Sequence, residues 1–111
     1  GDRQFTEFRI DCFKKNAHDQ WKFIGRYTPD FLIVKRKDDK IHKVLIVETK
    51  GALYAQDEAF KDRRAFVEGQ FLRQNEEKFG YRRFDYLYLE DSLSESDRIN
   101  KTNDIINKFF A

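Results

Sequence analysis

The chain has a single cysteine, a single proline, no methionine and only five glycines in 111 residues. One cysteine excludes an internal disulfide and any zinc site built on several thiolates. No Pro/Gly/Ser-rich linker, low-complexity tract or internal repeat divides the sequence. No apolar run approaches the roughly 18 residues needed to cross a bilayer. Charge of one sign is lacking too: 22 Lys+Arg face 20 Asp+Glu, a net charge of +2. Binding of nucleic acid by bulk charge alone is thereby excluded, so any such contact needs a local patch. Gly1-Asp2-Arg3-Gln4 carries no apolar h-region. A reducing, cytoplasmic setting is the expectation, with no membrane partner. The leading glycine and missing methionine suggest a piece of a larger protein.

What is present is aromatic and charged. Aromatics make up 16% of the chain, twelve of them Phe, and charged residues 38%. Disordered chains rarely carry so many rings, so residues 1–111 are expected to form one folded domain.

Hydrophobic spacing predicts the elements. From Phe5 to Phe13, Phe8, Ile10 and Cys12 alternate as in a half-buried strand. Lys14 to Gln20 reads as a turn, and Trp21, Phe23 and Tyr27 return the chain as a hairpin whose aromatics are expected in the core. Phe31-Leu32-Ile33-Val34 and Val44-Leu45-Ile46-Val47 are continuous apolar runs separated by a charged turn. Both are expected to be central strands covered on two faces. From Ala52 to Phe79 the period becomes helical, with Phe60, Arg64, Val67 and Phe71 on one stripe and Gly80 at the C-terminal stop. Phe84 to Leu89 is a strand. Ser94-Glu95-Ser96-Asp97 resembles a capping box ahead of a helix with Ile99, Thr102, Ile106 and Phe109 aligned. The expected order is strand, strand, strand, helix, strand, helix, an α/β or α+β sheet flanked by helices.

Chemistry concentrates where the two apolar runs meet. Pro29-Asp30 opens one and Glu48-Thr49-Lys50 closes the other. Residues i and i+2 of a strand share a face, so Glu48 and Lys50 project with Val44 and Ile46. Antiparallel pairing of the runs sets Asp30 beside Glu48. Two carboxylates and the Thr49 backbone carbonyl suit a hard divalent cation such as Mg2+ or Mn2+. Such a cation polarises a phosphodiester oxygen and acidifies bound water, and a neighbouring lysine can orient that water. A solvated ion pair at a strand end is the plainer alternative, worth under about 1 kcal/mol.

Thr28-Pro29-Asp30-Phe31 and Val47-Glu48-Thr49-Lys50-Gly51 resemble the PD-(D/E)xK nuclease signature. The wording around them is similar to the C-terminal endonuclease domain of type III restriction enzyme Res subunits and related helicase-nucleases. That resemblance implies a restriction-endonuclease-like mixed sheet and Mg2+- or Mn2+-dependent hydrolysis of double-stranded DNA. It implies Asp30 and Glu48 as metal ligands and Lys50 as the catalytic lysine. Partners it implies are a helicase/ATPase domain and a modification subunit. The family core opens with a helix supplying a further acid; here the chain is expected to start almost directly with a strand, without that helix, and Glu7 is the one early candidate for the acid.

Lys61 and Gln70 on the long helix are candidate contacts to DNA. Asp57-Glu58-Ala59-Phe60 reads as the acidic first turn of that helix. His18 and His42 lack metal-ligand spacing. A non-catalytic nucleic-acid- or protein-binding domain of the same fold is the competing function.

Overall fold

The computed structural model describes residues 8–51 and 56–111. Strand β1 is Ile10–Lys15 and β2 is Trp21–Tyr27. Strand β3 is Phe31–Lys37, and β4, the longest, is Lys40–Lys50. Helix α1, Glu58–Phe66, passes through a π-helical segment, Val67–Phe71, into α2, Leu72–Phe79. Strand β5, Phe84–Glu90, and helix α3, Glu95–Phe109, complete the chain. The protein is a mixed α+β structure.

Turn chemistry sets both hairpins. Between β1 and β2 the Asn16 carboxamide accepts from the backbone N–H groups of His18 and Gln20 at 2.9 and 3.0 Å. Between β3 and β4, Asp38 and Asp39 both take positive φ, 53° and 65°. That pair makes the left-handed two-residue turn matching strand twist, and aspartate tolerates it better than most residues.

Two sheets form. β1 and β2 pair antiparallel as a two-stranded sheet, while β3, β4 and β5 form a three-stranded sheet in that order. β3 runs antiparallel to β4 and β5 parallel to it, so the larger sheet is mixed. The parallel pair requires a crossover, and α1 and α2 lie between β4 and β5 in the chain.

β4 is buried on both faces, as its unbroken apolar run predicts. Val44 and Ile46 face a core shared with Ile10, Cys12, Val67, Leu72 and Phe84. Leu45 and Val47 face a second core closed by Leu87, Leu89 and Phe109. The hairpin and α1–α2 thus cover one face, and α3 the other.

Several expectations need correction. Four strands, not three, precede the helices, since both arms of the first hairpin are strands; they pair with each other as a separate sheet. β3 is an edge strand rather than a central one: Phe31 is 48% exposed, since only β4 pairs with it among the described residues. The strand expected from Phe5 begins at Ile10, and Phe5 lies outside the described residues. The helix expected from Ala52 starts at Glu58; residues 52–55 also lie outside. Trp21 and Phe23 are exposed at the hairpin tip, although the hairpin's base, Ile10, Cys12 and Tyr27, is buried. Ile99 is exposed as well; Ile105 and Ile106 take the inward side of α3.

The helix ends follow the sequence. Asp57 caps α1, accepting from Ala59 N–H at 2.9 Å. Ser94 caps α3, accepting from Asp97 N–H at 3.1 Å. Gly80 stops α2 with φ of 78°, the left-handed conformation a glycine adopts freely. Among the described residues no helix precedes β1, Glu7 is not described, and no helix is long and apolar enough to cross a membrane.

Candidate active site at the margin of the mixed sheet

β4 outruns its antiparallel neighbour. Phe31 pairs with Val47, and β3 has no residue left to serve the backbone beyond that point. The side chain of Asp30 takes over. Its Oδ2 accepts from Thr49 N–H at 2.8 Å and from the Thr49 hydroxyl at 3.0 Å. Pro29, which has no N–H to offer a ladder, precedes it and restricts Thr28 to extended geometry.

Glu48 continues the inward row Val44, Ile46. It is the one charged residue in the buried set among the described residues, 1% exposed. An unpaired carboxylate at that depth costs several kcal/mol, so its partners decide whether the site is stable. Tyr27, the last residue of β2, donates its hydroxyl to Glu48 Oε2. The Lys50 ammonium lies 3.1 Å from Glu48 Oε1 and 3.6 Å from Asp30 Oδ1. Asp30, Glu48 and Lys50 therefore meet at one corner of the sheet. The Lys50 and Asp30 side chains keep 27% and 32% exposure there.

Apart from its 3.1 Å ion pair with Lys50, the buried Glu48 Oε1 has no hydrogen-bond partner among the described residues. Buried carboxylate oxygens are ordinarily satisfied. This oxygen and Asp30 Oδ1 both turn toward the cation between them. The donors are hard oxygens, which fits a divalent ion of the magnesium type. Among the described residues no group of three or more His, Cys, Asp or Glu side chains is placed to hold a metal. Two carboxylates suit an ion that keeps several of its waters.

The two acids are driven apart in acidity. Burial opposes ionisation of Asp30, yet the two Thr49 hydrogen bonds, helped by Lys50, outweigh it and hold its carboxyl below the ordinary range. Burial pushes the Glu48 carboxyl up; Tyr27 and Lys50 offset part of this, and neighbouring Asp30 adds to it. The Tyr27 hydroxyl is also pushed up, first by burial and then by its bond to Glu48. It stays a donor throughout the neutral range.

β5 and α1 complete the surroundings. Parallel pairing sets Ile46 beside Tyr86 and Glu48 beside Tyr88. The Arg64 guanidinium lies 4.2 Å from the Tyr88 ring centroid and 5.6 Å from that of Tyr86. Its Nε is 3.2 Å from Glu68 Oε2. Phe60 approaches Tyr88 at 6.1 Å between centroids. A Cβ added at Gly51 would sit 3.6 Å from Asp91 Oδ2, an ordinary contact, so that glycine is not required to keep the corner clear.

Lys61 pairs with Glu58 one helical turn away, at 3.7 Å. Gln70 accepts from Arg73 at 2.6 Å and lines a groove beside the first hairpin. His42 stacks on Tyr81 at 4.9 Å.

Sequence reasoning missed Tyr27, Arg64, Tyr86 and Tyr88 as parts of this site. A signal existed for the tyrosines: Tyr27 stands just before Thr28-Pro29-Asp30, and Phe84, Tyr86 and Tyr88 alternate on one face. Arg64 stands on the helical stripe with Phe60 and Val67, which set it apart from a solvated arginine, but nothing in that spacing pointed to the Tyr86 and Tyr88 rings it meets. No family model, no curated protein and no solved structure matches this chain.

Proposed function

We propose that the chain is a divalent-metal-dependent endonuclease domain that hydrolyses phosphodiester bonds of double-stranded DNA. One observation carries this reading: the Lys50 ammonium stands 3.1 Å from Glu48 and 3.6 Å from Asp30 at an accessible sheet margin. The resemblance to PD-(D/E)xK nucleases adds to it. A mixed sheet whose hairpin carries those residues, followed by helices and a parallel strand, is compatible with a restriction-endonuclease-like fold. On this reading the domain is the cleavage module of a type III restriction enzyme or related helicase-nuclease, cytoplasmic, working with a helicase/ATPase domain and a modification subunit.

Asp30 Oδ1, Glu48 Oε1 and the Thr49 carbonyl would hold Mg2+ or Mn2+. When bound, the ion polarises a phosphate oxygen and acidifies a water. The chain's own groups do the rest. Thr49 fixes the Asp30 carboxylate, and Tyr27 fixes that of Glu48, so little reorganisation is needed when substrate arrives. Lys50 can hand its ammonium from the two carboxylates to the substrate phosphate or its attacking water.

One observation favours the competing reading, a non-catalytic binding domain: Lys50 already compensates both acids, as in a structural ion triad. Nicking of supercoiled plasmid decides between them. Cleavage should need Mg2+ or Mn2+, stop with chelator, and fall at least about 100-fold in Asp30→Asn and Lys50→Met. Cleavage unchanged in both variants, or absent from the wild type under all metals, contradicts the nuclease reading.

A further inference from the structure

A second surface, outside the acid corner, holds the one tryptophan of the chain. Trp21 is 49% exposed and stands at the tip of the first hairpin. It borders a groove of about 590 Å³ between that hairpin and the helices, lined also by Phe13, Phe66, Lys15, Gln70 and Arg73. Aromatic rings form its floor: Phe13 packs on Phe66 with centroids 5.8 Å apart. Cations form its rim. The Lys15 ammonium lies 5.6 Å from the Trp21 ring, and Gln70 accepts from the Arg73 guanidinium at 2.6 Å. A soluble domain gains nothing in stability from leaving an indole half in water, since burial of such a ring is worth a few kcal/mol.

We infer that this groove binds an unpaired stretch of DNA, one base stacking on Trp21 while Lys15 and Arg73 meet the flanking phosphates. The ligand class follows from complementarity. A flat apolar face takes a planar ring, two cations take anions, and a carboxamide such as Gln70 can read a base edge. Lys15 also pairs with Asp19 at 3.0 Å. Both side chains are exposed, so that pair contributes under about 1 kcal/mol and yields readily to a phosphate. The choice of DNA rests on the nuclease reading. Trp21 and Tyr27 mark opposite ends of β2. Six residue steps of about 3.3 Å put the groove on the order of 20 Å from the acid corner. A strand held at the groove is therefore long enough to reach the corner only if it spans several nucleotides.

Fluorescence of Trp21 reads the groove directly. The protein is titrated, in chelator, with single-stranded oligothymidylate of about 12 nucleotides, within the range of known single-strand site sizes. The expected result is a saturable quench that weakens with salt. With a dye-labelled strand, Trp21→Ala should bind about 5-fold or more weakly. Lys15→Glu and Arg73→Glu should each weaken binding and lower the salt slope by about 1. Blunt duplex of the same length should bind less well. No Trp21 response, equal binding by Trp21→Ala, or preference for duplex or for oligouridylate RNA each overturns the assignment. Strand binding without plasmid nicking would retire the nuclease reading and keep this groove; nicking without a Trp21 response does the reverse.

Discussion

The Tyr27 hydroxyl donates a hydrogen bond to the buried carboxylate of Glu48, tying the end of the first hairpin to the central strand of the other sheet. This polar link between the two sheets sits at the candidate active site. Hydrogen bonds to charged groups contribute about 1.5–3 kcal/mol. Tyr27→Phe should therefore lower stability by about that amount in urea titrations. In a Glu48→Gln background the same change should cost less than about 1 kcal/mol, because the bond is no longer charge-assisted. Equal costs in both backgrounds would show that Tyr27 acts by packing alone.

The ammonium of Lys50 occupies the place between Asp30 Oδ1 and Glu48 Oε1. Lys50→Met leaves the two acids facing one another and should destabilise the metal-free protein by about 1–3 kcal/mol. Mg2+ or Mn2+ should then raise its Tm more than it raises that of wild type, since nothing competes with the ion. In Asp30→Asn the metal-induced rise should disappear. A rise of the same size in all three proteins would place metal binding elsewhere.

Cys12 is wholly buried, and burial pushes its thiol up to about 11 from an ordinary 9.0. The sign follows from linkage. Between these values the unfolded thiol loses its proton while the folded one keeps it, so stability is complete below pH 9 and lost as pH rises toward 11. The loss is on the order of 2 kcal/mol. Cys12→Ala should flatten that part of the alkaline stability curve, measured by urea titration at stepped pH. Native Cys12 should also resist alkylation until the chain unfolds.

Two helix glycines should respond with opposite sign. A Cβ at Gly69, inside the π-helical segment, meets nothing within 4 Å. Gly69→Ala should stabilise by about 0.4–1 kcal/mol through a less flexible unfolded chain. Gly80 has φ of 78°, so Gly80→Ala should cost about 1–2 kcal/mol. Thermal melts of the two variants check both.

The sequence made the central strand and the acid corner legible because both depend on local pattern. The run Val44 to Val47 could only be covered on two faces, and the period of two then placed Glu48 and Lys50 together. Antiparallel pairing of neighbouring runs supplied Asp30. What it hid depends on nonlocal placement. The run Phe31 to Val34 is as apolar as its partner, yet strand order put it at an edge. Trp21 and Phe23 alternate like core residues, but at the tip of the hairpin they stay about half exposed, Trp21 bordering an open groove beside the helices. Register also slips between Cys12 and Phe13, so Cys12 faces Gly25 while Phe13 faces Phe23, a bulge no spacing announces. Tyr27 was legible as buried, not as a partner for Glu48, because that contact joins two sheets.

Anomalous scattering from a crystal grown with Mn2+ tests the central claim most directly. The account predicts a peak within about 2–2.5 Å of oxygens from both Asp30 and Glu48, with the Lys50 ammonium displaced from between them. A well-ordered map with no peak there, and Lys50 still paired to both acids, would contradict it.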